Sequence, residues 1–167
     1  ILDGGEIDLN GAVTAPEGFF SNGSGFDNTG ASITTSDPGI TIRDAGNIKI
    51  GSPLISGEGN IEIETTGSLD IDNTIQTTTG TIILDADGQT TINSSGNIAT
   101  TTGNVSLGAN REGAIRTAGD ITTSSGNITF DNETVLIGDV LLATSENLGD
   151  IVFNNRVDGG YTLDALA

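Results

Sequence analysis

A short unit of the form Gly-polar-apolar-x-apolar recurs along this chain at nearly constant spacing. The copies begin 21, 23, 23 and 23 residues apart, at Gly59-Asn-Ile-Glu-Ile, Gly80-Thr-Ile-Ile-Leu, Gly103-Asn-Val-Ser-Leu, Gly126-Asn-Ile-Thr-Phe and Gly149-Asp-Ile-Val-Phe. Gly18 and Gly39 extend the same phase upstream. Alternation of apolar and polar residues is typical of strands that bury one face. A period of about 22 residues made of such strands indicates a solenoid.

Each period holds two further apolar segments. The second has the same form, at Gly46-Asn-Ile-Lys-Ile, Gly67-Ser-Leu-Asp-Ile, Gly88-Gln-Thr-Thr-Ile, Gly138-Asp-Val-Leu-Leu and Gly160-Tyr-Thr-Leu. The third is shorter and is centred on Val13, Ile33, Leu54, Ile75, Ile98 and Ile121. Gly, Asn and Asp lie at the corners, where they tolerate positive φ. We therefore predict an all-β, right-handed parallel β-helix with three short strands per coil, 21–23 residues per coil and about 7–8 coils.

Stacking the coils assigns the buried side chains. The first wall is predicted to carry two inward columns: Ile61, Ile82, Val105, Ile128 and Ile151, then Ile63, Leu84, Leu107, Phe130 and Phe153. The second wall is predicted to use Ile48, Leu69 and Val140, with Ile50, Ile71, Ile92 and Leu142, and the third wall uses the shorter series. Burial within a single coil does not offset the entropy of ordering its backbone, so stability belongs to the array.

The regularity of the repeat varies along the chain. We predict that 1–167 is a single β-helix segment of a longer protein, with more irregular coils at 1–38 and regular repeats at 39–167. Three phenylalanines are predicted to fill a wider core in the irregular part: Phe19, Phe20 and Phe26. The stretch 109–116 is predicted to be an irregular loop.

Composition excludes several kinds of chemistry. The chain has no Cys, His, Met or Trp, which removes disulfides, thiol and imidazole catalysis and the usual zinc ligands. Serine without a histidine lacks a base, so we expect no enzyme and no cofactor. Five Lys and Arg against 23 Asp and Glu give a net charge of −18, which would repel nucleic acid. No apolar run has the ~20 residues needed for membrane insertion.

The Gly-Asn-Ile-x-Ile strands, together with Asn28-Thr-Gly-Ala-Ser-Ile-Thr-Thr and Gly149-Asp-Ile-Val-Phe-Asn-Asn-Arg-Val-Asp-Gly, carry a resemblance that covers nearly the whole chain. They resemble the repeats of filamentous haemagglutinin-like proteins, the long β-helical adhesins that bacteria export by two-partner secretion. The resemblance implies a fragment of a large secreted protein at the bacterial cell surface. It also implies a structural or adhesive role in a fibre, stalk or sheath.

Paired carboxylates suggest an alternative role. Asp70 and Asp72, Asp85 and Asp87, and Glu62 and Glu64 each stand two residues apart, so each pair shares one face of a strand. Such pairs serve polysaccharide-binding or depolymerising β-helices, whereas outward acids also keep a strand-rich surface soluble. The five cations are scattered, which favours the second interpretation. Asp85 and Asp87 precede a glycine and are candidate ligands for weak calcium binding.

Threonine rows suggest a second alternative, an ice-binding solenoid. The rows Thr77-Thr78-Thr79, Thr100-Thr101-Thr102 and Thr122-Thr123-Ser124-Ser125 stack just before the coil glycine. They are interrupted at Glu58 and Asn147, and threonine also suits exposed strands and turns.

Two further sets of residues complete the prediction. Asn60, Asn104 and Asn127, with Thr81 and Asp150, form a polar ladder that we interpret as turn stabilisation. Three outward apolar residues are candidates for lateral contact between solenoids: Ile83, Leu141 and Val152. The expected partners are other copies or neighbouring coils of the same protein, and cell-surface glycans.

Overall fold

The computed structural model describes residues 1–145 and 148–167, so Asn147 lies outside the described residues. Within those ranges the chain forms 24 strands and no helix. The strands build three parallel sheets of eight strands each, and the chain visits the three sheets in turn in every coil. The predicted β-helix with three strands per coil is confirmed, with eight coils.

The strands are named in chain order, three to a coil. Coils 1–4 contain β1 (Leu2–Asp3), β2 (Glu6–Asp8), β3 (Val13–Ala15), β4 (Phe19–Asn22), β5 (Gly25–Asp27), β6 (Ile33–Thr35), β7 (Gly39–Asp44), β8 (Ile48–Ile50), β9 (Leu54–Ser56), β10 (Asn60–Thr65), β11 (Leu69–Ile71) and β12 (Ile75–Thr77). Coils 5–8 contain β13 (Ile82–Ala86), β14 (Thr90–Ile92), β15 (Ile98–Thr100), β16 (Val105–Leu107), β17 (Ile115–Thr117), β18 (Ile121–Thr123), β19 (Ile128–Phe130), β20 (Thr134–Leu136), β21 (Val140–Ala143), β22 (Ile151–Phe153), β23 (Val157–Asp158) and β24 (Leu163–Leu166). Sheet A collects the first strand of each coil, sheet B the second and sheet C the third.

The core lies between the inner faces of the three sheets. On sheet A, the structure places Ile61, Ile82, Val105 and Ile128 in one fully buried column, and Ile63, Leu84, Leu107 and Phe130 in the next. Ile151 and Phe153 continue these columns in the last coil, where they are partly buried. Phe19 and Phe26 are buried and meet edge to face at 6.1 Å, whereas Phe20 is only half-buried. Stacked branched aliphatics therefore form one continuous apolar core.

The second wall differs from the prediction. Val140 and Leu142 lie in β21 of sheet C, where Leu142 continues the column of Ile121. In that coil the sheet B strand is Thr134–Leu136, whose first inward residue is a threonine. Thr134 is not apolar, and no glycine precedes its strand as in the repeat pattern. The sequence analysis therefore assigned the glycine-led segment after Gly138 to the second wall in place of Thr134–Leu136. The same error placed Leu163 in the second wall, and it lies in sheet C.

The predicted loop at 109–116 is shorter than expected. Ile115 and Arg116 belong to β17, which pairs with β14 below and with β20 above. Thr90 pairs with Ile115, and Ile115 pairs with Thr134. The number of residues between paired positions is therefore larger than usual in one coil and smaller than usual in the next. The extra residues after Leu107 bulge at the corner between sheets A and B and leave the register of the sheets intact.

The predicted positive φ occurs at the coil glycines Gly18 and Gly39, whereas Gly80, Gly103 and Gly126 are required for another reason. Positive φ occurs at described glycines such as Gly39 and Gly108, but Gly80, Gly103 and Gly126 are not among them. A Cβ at Gly103 or at Gly126 would lie 1.8 Å from the carbonyl oxygen of the coil glycine one coil below. These positions exclude a side chain because successive backbones approach too closely.

Candidate functional site

The outer face of sheet A brings one predicted carboxylate pair together with a cation. The Arg43 guanidinium lies 2.7 Å from a Glu62 carboxylate oxygen and 3.3 Å from one of Glu64. The hydrogen bond with Glu62 raises the pKa of Arg43 above its ordinary value. The two glutamates share a face, as the strand period requires. Their charges are partly neutralised by an arginine of the coil below.

The outer face of sheet B carries a second such cluster. Lys49 Nζ lies 3.1 Å from Asp72 Oδ2, and this contact raises the pKa of Lys49. Asn93 Nδ2 donates to Asp70 Oδ1 at 3.0 Å and also to Asp72 Oδ1. A lysine and an amide from neighbouring coils therefore hold both carboxylates, which limits their use as a free acid and base pair.

A shallow groove of about 430 Å³ crosses the same face. Its polar lining consists of Glu6, Asp27, Asn47, Lys49, Ser68, Asp70, Gln89 and Thr91. Hydroxyl, amide and carboxylate groups of this kind can hydrogen-bond to sugar hydroxyls. The groove is open rather than enclosed, and it does not surround a buried carboxylate.

Asp85 and Asp87, the candidate calcium ligands, point to different surroundings. Asp85 is fully buried, and its Oδ2 accepts a hydrogen bond of 2.7 Å from Asn110 Nδ2. Asp87 is exposed and pairs with Arg111 at 2.8 Å. Both carboxylates therefore fasten the corner bulge to the coil below. Among residues 1–145 and 148–167, no group of three or more His, Cys, Asp or Glu is arranged to hold a metal ion.

One threonine of each row points inward rather than outward. Thr77, Thr100 and Thr123 are in register on sheet C and are buried. Thr100 Oγ1 donates to the Gly80 carbonyl at 3.1 Å and accepts from the Gly103 N–H at 3.1 Å. Thr77 and Thr123 make the same two bonds. These three hydroxyls bond to the backbone at the corner between sheets C and A. They point inward, so they cannot belong to an outward threonine array that binds ice.

The asparagine ladder supplies acceptors at the corner before sheet A. Asn60 Oδ1 accepts the backbone N–H of Thr81 at 2.9 Å, Asn104 Oδ1 that of Asn127 at 2.8 Å, and Asn127 Oδ1 that of Asp150 at 2.9 Å. Each amide thus satisfies a backbone donor of the coil above, where the sheet ladder has not yet begun. Thr81 breaks the series, because its shorter side chain does not accept the Asn104 N–H in the way that the asparagine amides accept theirs.

We predict that Thr81→Asn stabilises the chain by about 0.5–1.5 kcal/mol, because the new amide would accept the Asn104 N–H. The free energy of unfolding is measured by urea denaturation followed by circular dichroism. Thr81→Ala is the control, since it removes the threonine side chain without adding an acceptor. Equal stability of the two variants would contradict the proposed hydrogen bond.

Asp44 is a buried carboxylate that the sequence analysis did not identify. It occupies the inward corner position that Thr65 holds in the next coil. Ser21 Oγ donates to Asp44 Oδ2 at 3.1 Å, whereas Asp44 Oδ1 has no partner among the described residues. This oxygen lies in the space above Gly23, 2.5 Å from where a Cβ would stand. Burial raises the pKa of Asp44, although the Ser21 hydroxyl and the Gly23 N–H oppose the shift.

A raised pKa means that the folded state binds the Asp44 proton more tightly than the unfolded state. The stability that this proton contributes is present below the ordinary pKa of 3.8 and is lost as pH rises through the folded pKa. Asp44→Asn is therefore expected to remove this loss and to stabilise the chain by about 1 kcal/mol at pH 7. Urea titrations from pH 3 to pH 7 test it, with exposed Asp8→Asn as the control. An equal change in slope for both variants would contradict the assignment.

The three candidates for lateral contact do not form one patch. Ile83 and Val152 lie in the same outer column of sheet A, separated by Ser106 and Thr129. Leu141 lies on sheet C beside Asp164 of the next coil. Val152 is 36 % exposed, whereas Ile83 and Leu141 are half-buried.

Comparison with protein-family models, with curated proteins and with solved structures gives no match for this chain. The described residues include no helix of sufficient length and apolarity to cross a bilayer.

Proposed function

We propose that this chain is part of a rigid, acidic rod in an extracellular bacterial fibre, sheath or adhesin of the filamentous haemagglutinin-like kind. Its role is mechanical: it projects or assembles a surface structure and catalyses no reaction. Its partners are neighbouring coils, other copies of the chain and cell-surface glycans. It needs no cofactor.

The observation that carries this proposal is the unbroken parallel pairing of eight strands in each of three sheets. Backbone hydrogen bonds in a β-helix run along the long axis, with coils about 4.8 Å apart. Each wall therefore links every coil to the next, while the stacked aliphatics hold the three walls together. A body of this kind resists bending and can be lengthened by adding coils.

The surface supports the same role. Arg43, Lys49, Arg111 and Arg156 each pair with a carboxylate of a neighbouring coil, so these cations join coils instead of gathering in a catalytic cleft. Exposed pairs contribute little to stability individually. The remaining acids keep a strand-rich surface soluble and discourage edge pairing.

Antibodies against this chain, used for immunogold electron microscopy of the native bacteria, test the proposal. We expect label along extracellular fibres or a sheath, with an axial repeat of about 4.8 Å in purified fibres. Label confined to the cytoplasm, or soluble short particles in the medium, would contradict a structural role.

The groove on sheet B favours one second candidate, the binding or depolymerisation of a polysaccharide. Lys49 is the cation at that groove, so Lys49→Ala would weaken retention on an acidic glycan, whereas Arg156→Ala outside the groove would not. Equal retention of the wild type, Lys49→Ala and Arg156→Ala on the glycan, with no shortening of the glycan chains, would exclude this role.

A further inference from the structure

Sheet C has an outer face that differs from the other two. Its outward column is formed, from the first coil to the last, by Thr14, Thr34, Ile55, Gln76, Ala99, Thr122, Ala143 and Leu166. Ile55 is 39 % exposed, although it is a large aliphatic residue. None of these residues is charged.

The contrast in charge is large for a chain with a net charge of −18. The strands of sheet B carry Glu6, Asp8, Asp27, Lys49, Asp70, Arg116 and Asp158, and those of sheet A carry Asp3, Arg43, Asp44, Glu62, Glu64 and Asp85. In the described strands of sheet C the one charged residue is Asp164, in the last coil. The outer column of sheet A that contains Ile83 is interrupted by one charged residue, Glu62, which lies between Thr41 and Ile83.

Two like-charged rods repel each other, and this repulsion is smallest where they meet through surfaces without charge. A single coil presents little area, and a stable interface needs about 800 Å² on each partner. A contact must therefore extend over many coils. Sheet C provides an uncharged outer column over seven consecutive coils, from β3 to β21.

We propose that the outer face of sheet C binds the same face of a second copy of this chain, so that rods pair side by side. A two-fold axis between coils 4 and 5 makes this contact self-complementary. Gln76 then faces Ala99 of the other copy, and Ile55 faces its Thr122, so that a larger residue meets a smaller one. This inference rests on the proposed rod function and specifies how rods associate laterally.

Sedimentation equilibrium of the whole chain at increasing salt tests the pairing. We expect a monomer–dimer equilibrium that shifts toward the dimer as salt rises, because screening reduces the repulsion between the two acidic rods. Ala99→Asp should weaken association at least tenfold, because it buries two carboxylates in the contact, each opposite Gln76 of the other copy and close to the two-fold axis. Ser106→Asp adds the same charge to the outer face of sheet A and should leave association unchanged. Circular dichroism of each variant checks that the fold is retained.

Three outcomes would overturn the pairing. The wild-type chain could stay monomeric at every salt concentration, or Ala99→Asp could associate as strongly as the wild type. Alternatively, Ser106→Asp alone could abolish association, which would place the contact on the Ile83–Val152 column of sheet A. None of these results would contradict the rod function, which the immunogold labelling of native bacteria tests separately.

Discussion

Gly103→Ala is expected to destabilise the chain by about 3 kcal/mol or more, a large effect for the addition of one methyl group. The new Cβ would lie 1.8 Å from the Gly80 carbonyl oxygen, and backbone atoms of a stacked coil cannot move aside singly. The shift would also stretch the hydrogen bonds of Thr100 to Gly80 and Gly103. Urea denaturation followed by circular dichroism measures the loss. Because Gly103 lies midway along the array, we also expect a broader transition as the two halves uncouple.

Gly57→Ala is the matched control for this prediction. Gly57 lies at the same corner two coils earlier, but a Cβ there would meet its nearest atom, Ser36 Cα, at 3.5 Å. That is ordinary contact, so the substitution should be neutral or stabilise by about 0.4–1 kcal/mol through the unfolded state. If both alanines destabilise the chain equally, close backbone stacking does not explain the coil glycines.

Phe130→Ala is expected to cost about 3–5 kcal/mol, because it empties a fully buried site in the first wall. Phe130 also stacks on Phe153 of the last coil, with ring centroids 4.7 Å apart and planes inclined by 15°. Its loss should therefore loosen coil 8 before the rest of the array. Hydrogen exchange of the β22 amides, together with the free energy of unfolding, measures both effects.

Phe20→Ala serves as the comparison, since Phe20 belongs to sheet A but lies half-buried in register with Thr41. We expect it to cost about 1 kcal/mol or less. A similar loss for the two variants would mean that inward and outward columns had been exchanged. That exchange would remove the basis for the predicted core.

The architecture could be predicted because the repeat places branched aliphatics at fixed intervals. Ile61, Ile82 and Val105 follow the coil glycine at the same distance, and stacking the coils buries all of them. The pattern failed where polar residues turn inward. Thr134 begins a sheet B strand, and the hydroxyl of Thr100 bonds to the backbone at a corner. Nothing in the neighbouring sequence distinguishes these buried threonines from exposed ones.

The candidate site was harder to predict than the fold, because it depends on contacts between coils. Asp85 and Asp87 have the spacing of residues that share one face of a strand. The corner bulge of the next coil separates their roles, because Asn110 bonds to the buried Asp85 and Arg111 pairs with the exposed Asp87. Asp44 is buried because Gly23, one coil earlier, leaves room for its carboxylate. The uncharged outer column of sheet C becomes visible only when the outward residue of every coil is aligned by register.

The direction of the backbone hydrogen bonds determines how the rod responds to tension. A pull along the axis loads the coil interfaces in series, so the weakest interface opens first. Val105 and Ile128 are 23 residues apart, and a released coil of that length would extend to about 75 Å, compared with about 4.8 Å when stacked. The rod would therefore lengthen in discrete steps under load and absorb mechanical work while the remaining coils stay folded.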